Sequence, residues 1–171
     1  LFAEKNEEKF IGFLNMLIND LIYTLDHGFD GLTEIRQIEN EPPPQADAND
    51  MAAFNPFDPF GQQQPPQNEA AQRESHRMEL KDTVRHYMKL ANESIDLLKF
   101  VIEHTTKAFM NELIFPRVAV LVSVYLDRLA HGAELRVRGN LREDYNFNAK
   151  FLLTSVVQIF NRLCQDAEHK E

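Results

Sequence analysis

The chain reads as an all-α protein in which antiparallel helices stack in layers. Three apolar patterns of helical spacing follow one another between Tyr87 and Leu163, and strand-like alternation is nearly absent from that stretch. An earlier run, Glu7 to Leu25, is apolar around so much of its circumference that it must lie between neighbours, as in a layered helical array.

In that first run Phe10, Phe13, Leu14, Leu17, Ile18, Leu21 and Leu25 recur at spacings of three and four on one face, which Ile11, Met16 and Ile22 widen. His27-Gly28 reads as a stop, and Phe29 to Ile38 as a separate short helix after it. Between Glu39 and Gln72 lie all the prolines except Pro116. Proline at this density removes backbone donors and forbids a continuous helix, so the stretch reads as a flexible insertion separating helical parts 1–38 and 73–171.

Helix signals resume near Glu69 and are firm from Met78 to His104. Leu80, Val84, Tyr87, Met88, Ala91, Ile95, Leu98 and Ile102 form the apolar stripe there, and Glu79, Lys81, Asp82, Arg85, Lys89 and Lys99 the wet side. Phe115-Pro116 opens the next helix, because proline in the first turn gives up a donor that has no partner there. Val118, Leu121, Val122, Tyr125 and Leu129 carry it to a stop at His131-Gly132. The last helix begins at Asn146 or Asn148, either of which can cap it, and buries Phe151, Leu152, Val156, Ile159, Phe160 and Leu163.

A chain of 171 residues, 43% hydrophobic and 26% charged, is enough for one domain core of the soluble globular class. Its formal net charge of -9 argues against general affinity for nucleic-acid phosphates or anionic membranes. The single cysteine, Cys164, excludes an intrachain disulfide, fits a reducing intracellular compartment and reads as a small apolar core residue. No signal peptide is visible at Leu1-Phe2-Ala3-Glu4, and the opening without Met reads as an internal piece of something longer. The longest apolar run, Val118 to Leu126, is about half of the roughly 20 residues that a membrane span requires.

Catalytic constellations are not legible. The histidines His27, His76, His86, His104, His131 and His169 are scattered, with no pair four apart on one helical face for zinc. Neither a Gly-x-Ser-x-Gly elbow nor a glycine-rich phosphate cradle occurs, so no catalytic residue, metal or cofactor is assigned. The candidate partner-binding residues lie elsewhere. Asn55-Pro56-Phe57 and Asp58-Pro59-Phe60 are tripeptides of the kind endocytic adaptors bind, and Arg136 and Arg138, with Arg142, make the most basic patch of an acidic chain. That patch suits an acidic partner, or else pairs in a solvated loop with Glu134, Glu143 and Asp144. Asn92-Glu93, a polar pair within an apolar helix, either bonds to a neighbouring helix or loop, or leaves Asn92 at a boundary and Glu93 in water.

The order of these pieces resembles the core region of the ubiquitin conjugation factor E4 family, ligases that elongate ubiquitin chains. The carrying residues are KFIGFLNMLINDLIYTLDHGFDGLTEI with its Asn19-Asp20 and Leu25-Asp26, YMKLANESIDLLKFV, and PRVAVLVSVYLDRLAHG with Leu126, Leu129 and Gly132. Tyr145 and Phe147 then precede the final helix. After Gly132 the chain departs from the family's Pro-Lys-Cys, and the proline insertion is longer than the family's usual joint. The resemblance implies an armadillo-like superhelix acting as the non-catalytic core of a ubiquitin ligase in ubiquitin-dependent degradation, in cytoplasm or nucleus. It also implies partners: a ubiquitin-conjugating enzyme docked by a U-box outside residues 1–171, ubiquitinated substrates and an AAA-type segregase. The alternative is a helical endocytic adaptor that displays the Phe57 and Phe60 tripeptides.

Overall fold

The computed structural model describes residues 2–41, 69–132 and 139–168, and every regular element among them is helical. They are α1 (Phe2–Asn40), α2 (Glu69–Phe109), α3 (Phe115–His131), α4 (Leu141–Tyr145) and α5 (Ala149–Glu168). At 1.5 Å per residue α1 is roughly 60 Å long.

Cross-helix pairs set the directions. Glu34 meets His76 at 3.1 Å, while Tyr23, earlier in α1, meets Tyr87, later in α2, edge-on at 5.9 Å; the two helices therefore run antiparallel. Arg117 reaches Asn15 and Arg128 reaches Asp30, so α3 runs parallel to α1. Going down α2, Lys81 binds Asp144, Asn92 binds the Asn146 carbonyl, and Lys99 covers the Phe151 ring, so the chain leaving α4 and entering α5 runs along α2 in the same direction. With α5 packed on α3 and α3 touching α1, the long helices close the ring α1–α2–α5–α3.

Phe29 sits inside that ring. Its fully buried side chain stacks on Tyr125 of α3 at 6.0 Å and meets Phe147, between α4 and α5, edge-on at 5.6 Å. Leu14, Ile18, Leu21 and Leu25 of α1, Val84, Met88, Ile95 and Leu98 of α2, and Leu152 and Ile159 of α5 complete one core. Each such Leu or Ile contributes roughly 1.5 to 3 kcal/mol relative to exposure.

The stop expected at His27-Gly28 is absent, and no separate helix spans Phe29 to Ile38: α1 runs through both. The reason is burial. Phe29, Leu32 and Ile35 continue the register of Leu21 and Leu25 and are fully buried, which outweighs the roughly 0.5–1 kcal/mol that a mid-helix glycine costs. Glycine is required there by proximity. A Cβ on Gly28 would lie 2.5 Å from Met88 Cε, and one on Gly31 would lie 2.4 Å from Val84 Cγ2.

The ends of the later helices fall where their residues permit. At Thr105 (φ -140, ψ 39) α2 breaks, with the Thr105 and Thr106 hydroxyls donating to the Val101 and Ile102 carbonyls at 2.6 and 2.8 Å. As expected, α3 starts at Phe115 with Pro116 in its first turn and stops before Gly132, whose N–H donates to the Arg128 carbonyl at 2.8 Å. Asn146 and Asn148 divide the last boundary between them: Asn146, at φ 53, ends α4, and Asn148 Oδ1 caps α5 by accepting the Phe151 N–H at 3.1 Å.

Two core assignments are corrected. Phe160 is 48% exposed, and Cys164 is exposed as well. Both lie on the flank of α5 beside Leu163, while Val156, Ile159 and Leu163 take the inward face. Phe13 and Met16 of α1 are likewise exposed, so this helix is less enclosed than its composition predicts.

Candidate functional site

The residues chosen from sequence for partner binding, Asn55, Pro56, Phe57, Asp58, Pro59, Phe60, Arg136 and Arg138, lie outside the described residues. The described structure does bring together other positions singled out in the sequence, in two polar seams.

The first seam ties α1 to α3. Arg128 donates to Asp26 at 3.1 Å and to Asp30 at 3.2 Å while its guanidinium lies 4.5 Å above the Phe29 ring. The Tyr125 hydroxyl proton has two acceptors, Asp26 Oδ1 at 2.9 Å and the Ile22 carbonyl at 3.1 Å. Burial, and then the Asp26 carboxylate, push the Tyr125 phenol far above its ordinary value, so it stays protonated and donating. Arg117 adds Asn15 at 2.8 Å, and it also binds Asn19. Asn19 and Asp26 therefore fasten helices together.

The second seam ties α4 to α2. Lys81 Nζ donates to Asp144 Oδ1 at 2.6 Å, Arg85 to the Glu143 carbonyl at 2.9 Å, and Asn92 Nδ2 to the Asn146 carbonyl at 3.0 Å; the Asn146 amide returns a bond to the Arg85 carbonyl at 3.3 Å. Lys81, followed by the Asn140 backbone N–H at 2.9 Å, holds the Asp144 carboxyl below the usual carboxylate range. So Asn92 does bond to a neighbouring joint, and Glu93 does face water. Asp144 pairs with Lys81 of α2, while Arg136 and Arg138, its expected partners in the loop, lie outside the described residues. In the described part of the joint expected to be loop, Leu141–Tyr145 is helix α4. Its signal was present in Asn140 with Glu143 and Asp144 following, a cap with acidic residues in the first turn.

Beside this seam opens a basin of about 610 Å³, lined by Lys89, Asn92, Glu93, Arg142, Asn146, Asn148 and Phe151. Two cations, one carboxylate and three amides can hold a polar or acidic surface, but they include no nucleophile with a base aligned on it. Among the described residues, no three His, Cys, Asp or Glu side chains converge as a metal site requires. No helix among them is long and apolar enough to cross a membrane.

Fold and seams together define, among the described residues, an all-helical body in which two sets of polar side chains tie helices to one another. Comparison with known proteins makes the class specific. The family described as "Ubiquitin elongating factor core" matches residues 1–170, and the chain belongs to that family. Its relatives include a probable ubiquitin conjugation factor E4 of Arabidopsis thaliana, 32% identical over 163 residues. A ubiquitin conjugation factor E4 of Schizosaccharomyces pombe is 28% identical over 157 residues, and the E4 ubiquitin-protein ligase UFD2 of Saccharomyces cerevisiae 24% over 170. These matches cover 94%, 92% and 97% of the chain but only 14%, 14% and 16% of the respective relatives.

Proposed function

We propose that the chain is a scaffold section of a ubiquitin chain-elongating ligase, itself non-catalytic, which holds a ubiquitin-conjugating enzyme and an already ubiquitinated substrate in a reactive arrangement. The observation that carries this reading is the family match across residues 1–170. A ligase of this kind acts by proximity, and a rigid helical body is what fixes the distance between two docked partners. In this reading parts 1–38 and 73–171 form one core interrupted by the 39–72 insertion, and the ring of helices is one section of a longer armadillo-like superhelix. The conjugating enzyme docks on a U-box elsewhere in the polypeptide. Arg136 and Arg138, with the tripeptides at 55–60, are the partner-facing additions, and an AAA-type segregase receives the product for degradation in cytoplasm or nucleus.

The test is a reconstituted reaction with activating enzyme, conjugating enzyme, ubiquitin, ATP and a mono-ubiquitinated substrate. Residues 1–171 alone are expected to leave chain length at the ligase-free background, and the polypeptide extended through a U-box to lengthen chains. Deleting 1–171 from the extended form is expected to abolish elongation. Elongation by 1–171 alone, or full elongation without it, overturns the scaffold reading.

A further inference from the structure

One surface of the ring is built to be covered. On α5, Leu153, Val157, Phe160 and Cys164 fall at spacings of four, three and four, which makes a single stripe along the flank facing α3. This stripe is in the open: Leu153 and Val157 are each 39% exposed and Phe160 is 48% exposed. Across from it, Phe115, Ala119 and Ser123 of α3 form the other wall of a groove whose floor is Val122 and Leu163. The groove deepens near Phe160 into a cavity of about 120 Å³, close to the ~150 Å³ apolar cavity that accepts a benzene ring, so it seats one aliphatic or aromatic side chain.

Its chemistry separates the occupants. No charged side chain lines the cavity, and its one hydroxyl, on Ser123, is already spent on the Ala119 carbonyl at 2.8 Å. A site for a transient partner normally carries a polar, charged rim, whereas permanently buried contacts resemble a domain core cut in half. The relatives extend far beyond the matched region, which is only 14 to 16% of their length. We propose that the α3–α5 groove is the seat of a further helix of the same polypeptide, from outside residues 1–171, which lays an apolar stripe along Leu153, Val157 and Phe160 and drops one side chain into the cavity beside Phe115. The proposal rests on the reading of the chain as one section of a longer helical array, and it says by which face the array continues.

The experiment uses the full-length polypeptide. A photo-crosslinking p-benzoyl-phenylalanine is placed at position 157, and Cys164 is alkylated with N-ethylmaleimide under native conditions, both read by peptide mass spectrometry. The expected cross-link is intramolecular, to a helical segment outside residues 1–171, and Cys164 is expected to react at least tenfold more slowly in the native than in the denatured polypeptide. A cross-link to a second copy, or to a separate protein, overturns the proposal. So does absence of a cross-link with Cys164 reacting freely. Neither readout involves ubiquitin transfer, so a polypeptide that buries the groove yet fails to elongate chains would count against the scaffold reading alone.

Discussion

Tyr125 shows how much a single residue can hide from its sequence. Periodicity places it on the buried face of α3, and it is buried, but the partner of its hydroxyl, Asp26, lies 99 positions earlier in the chain. Removing the hydroxyl by Tyr125→Phe leaves Asp26 with Arg128 and deletes one hydrogen bond between α1 and α3, so the variant is expected to lose roughly 1 kcal/mol in urea unfolding at neutral pH. The alkaline limb carries a second signature. The folded phenol is raised, so its contribution is complete below the unfolded value of about 10 and is lost as pH rises from there toward the folded value. The advantage of wild type over Tyr125→Phe should therefore shrink as pH is raised above about 10, and an advantage unchanged from pH 8 to 11 would mean that the hydroxyl is not held against Asp26. Asn92 teaches the same lesson on a smaller scale. Its position invited a cross-helix bond, but the acceptor, the Asn146 carbonyl, was visible only once α4 lay beside α2.

At the level of the element, the contact of α1 with α2 turns on two glycines, Gly28 and Gly31. Gly28 faces the flexible end of Met88, whereas Gly31 faces Val84 Cγ2, a short branched group that cannot retreat. Alanine improves helix propensity at either site by about 1 kcal/mol. Overpacking costs about 1–3 kcal/mol where the neighbour cannot move. Gly28→Ala is therefore expected to melt within a few degrees of wild type, and Gly31→Ala to be destabilised, with Val84→Ala recovering part of the loss in the double variant. A Gly31→Ala protein as stable as wild type would show that the two helices part without cost. Helix starts and stops were legible wherever chemistry is local: Pro116, Asn148 and Gly132 each act on backbone groups within a turn. Gly28 was misread because the competing force, burial of Phe29, Leu32 and Ile35, comes from other helices.

For the whole molecule, the ring has a centre at Phe29, which touches α3 through Tyr125 and Arg128 and the α4–α5 joint through Phe147. Phe29→Ala should cost about 3–5 kcal/mol and lower the melting of all the helices together in a circular-dichroism scan. A melt in which α5 unfolds separately, leaving the rest intact, would contradict a shared core. By itself the sequence determined that the chain is helical, where α3 begins and ends and where α2 and α5 begin, and which family it belongs to, because spacing, caps and residue order are properties of neighbours along the chain. Tertiary structure alone decided that α1 is continuous, that Asp144 belongs to Lys81, that Asn19 and Asp26 fasten α3, and that Phe160 and Cys164 stand outside the core. Each of these depends on which helix lies alongside. A period of 3.6 residues identifies an apolar face without saying how far around the helix its neighbours reach, and on α5 they stop short of Phe160.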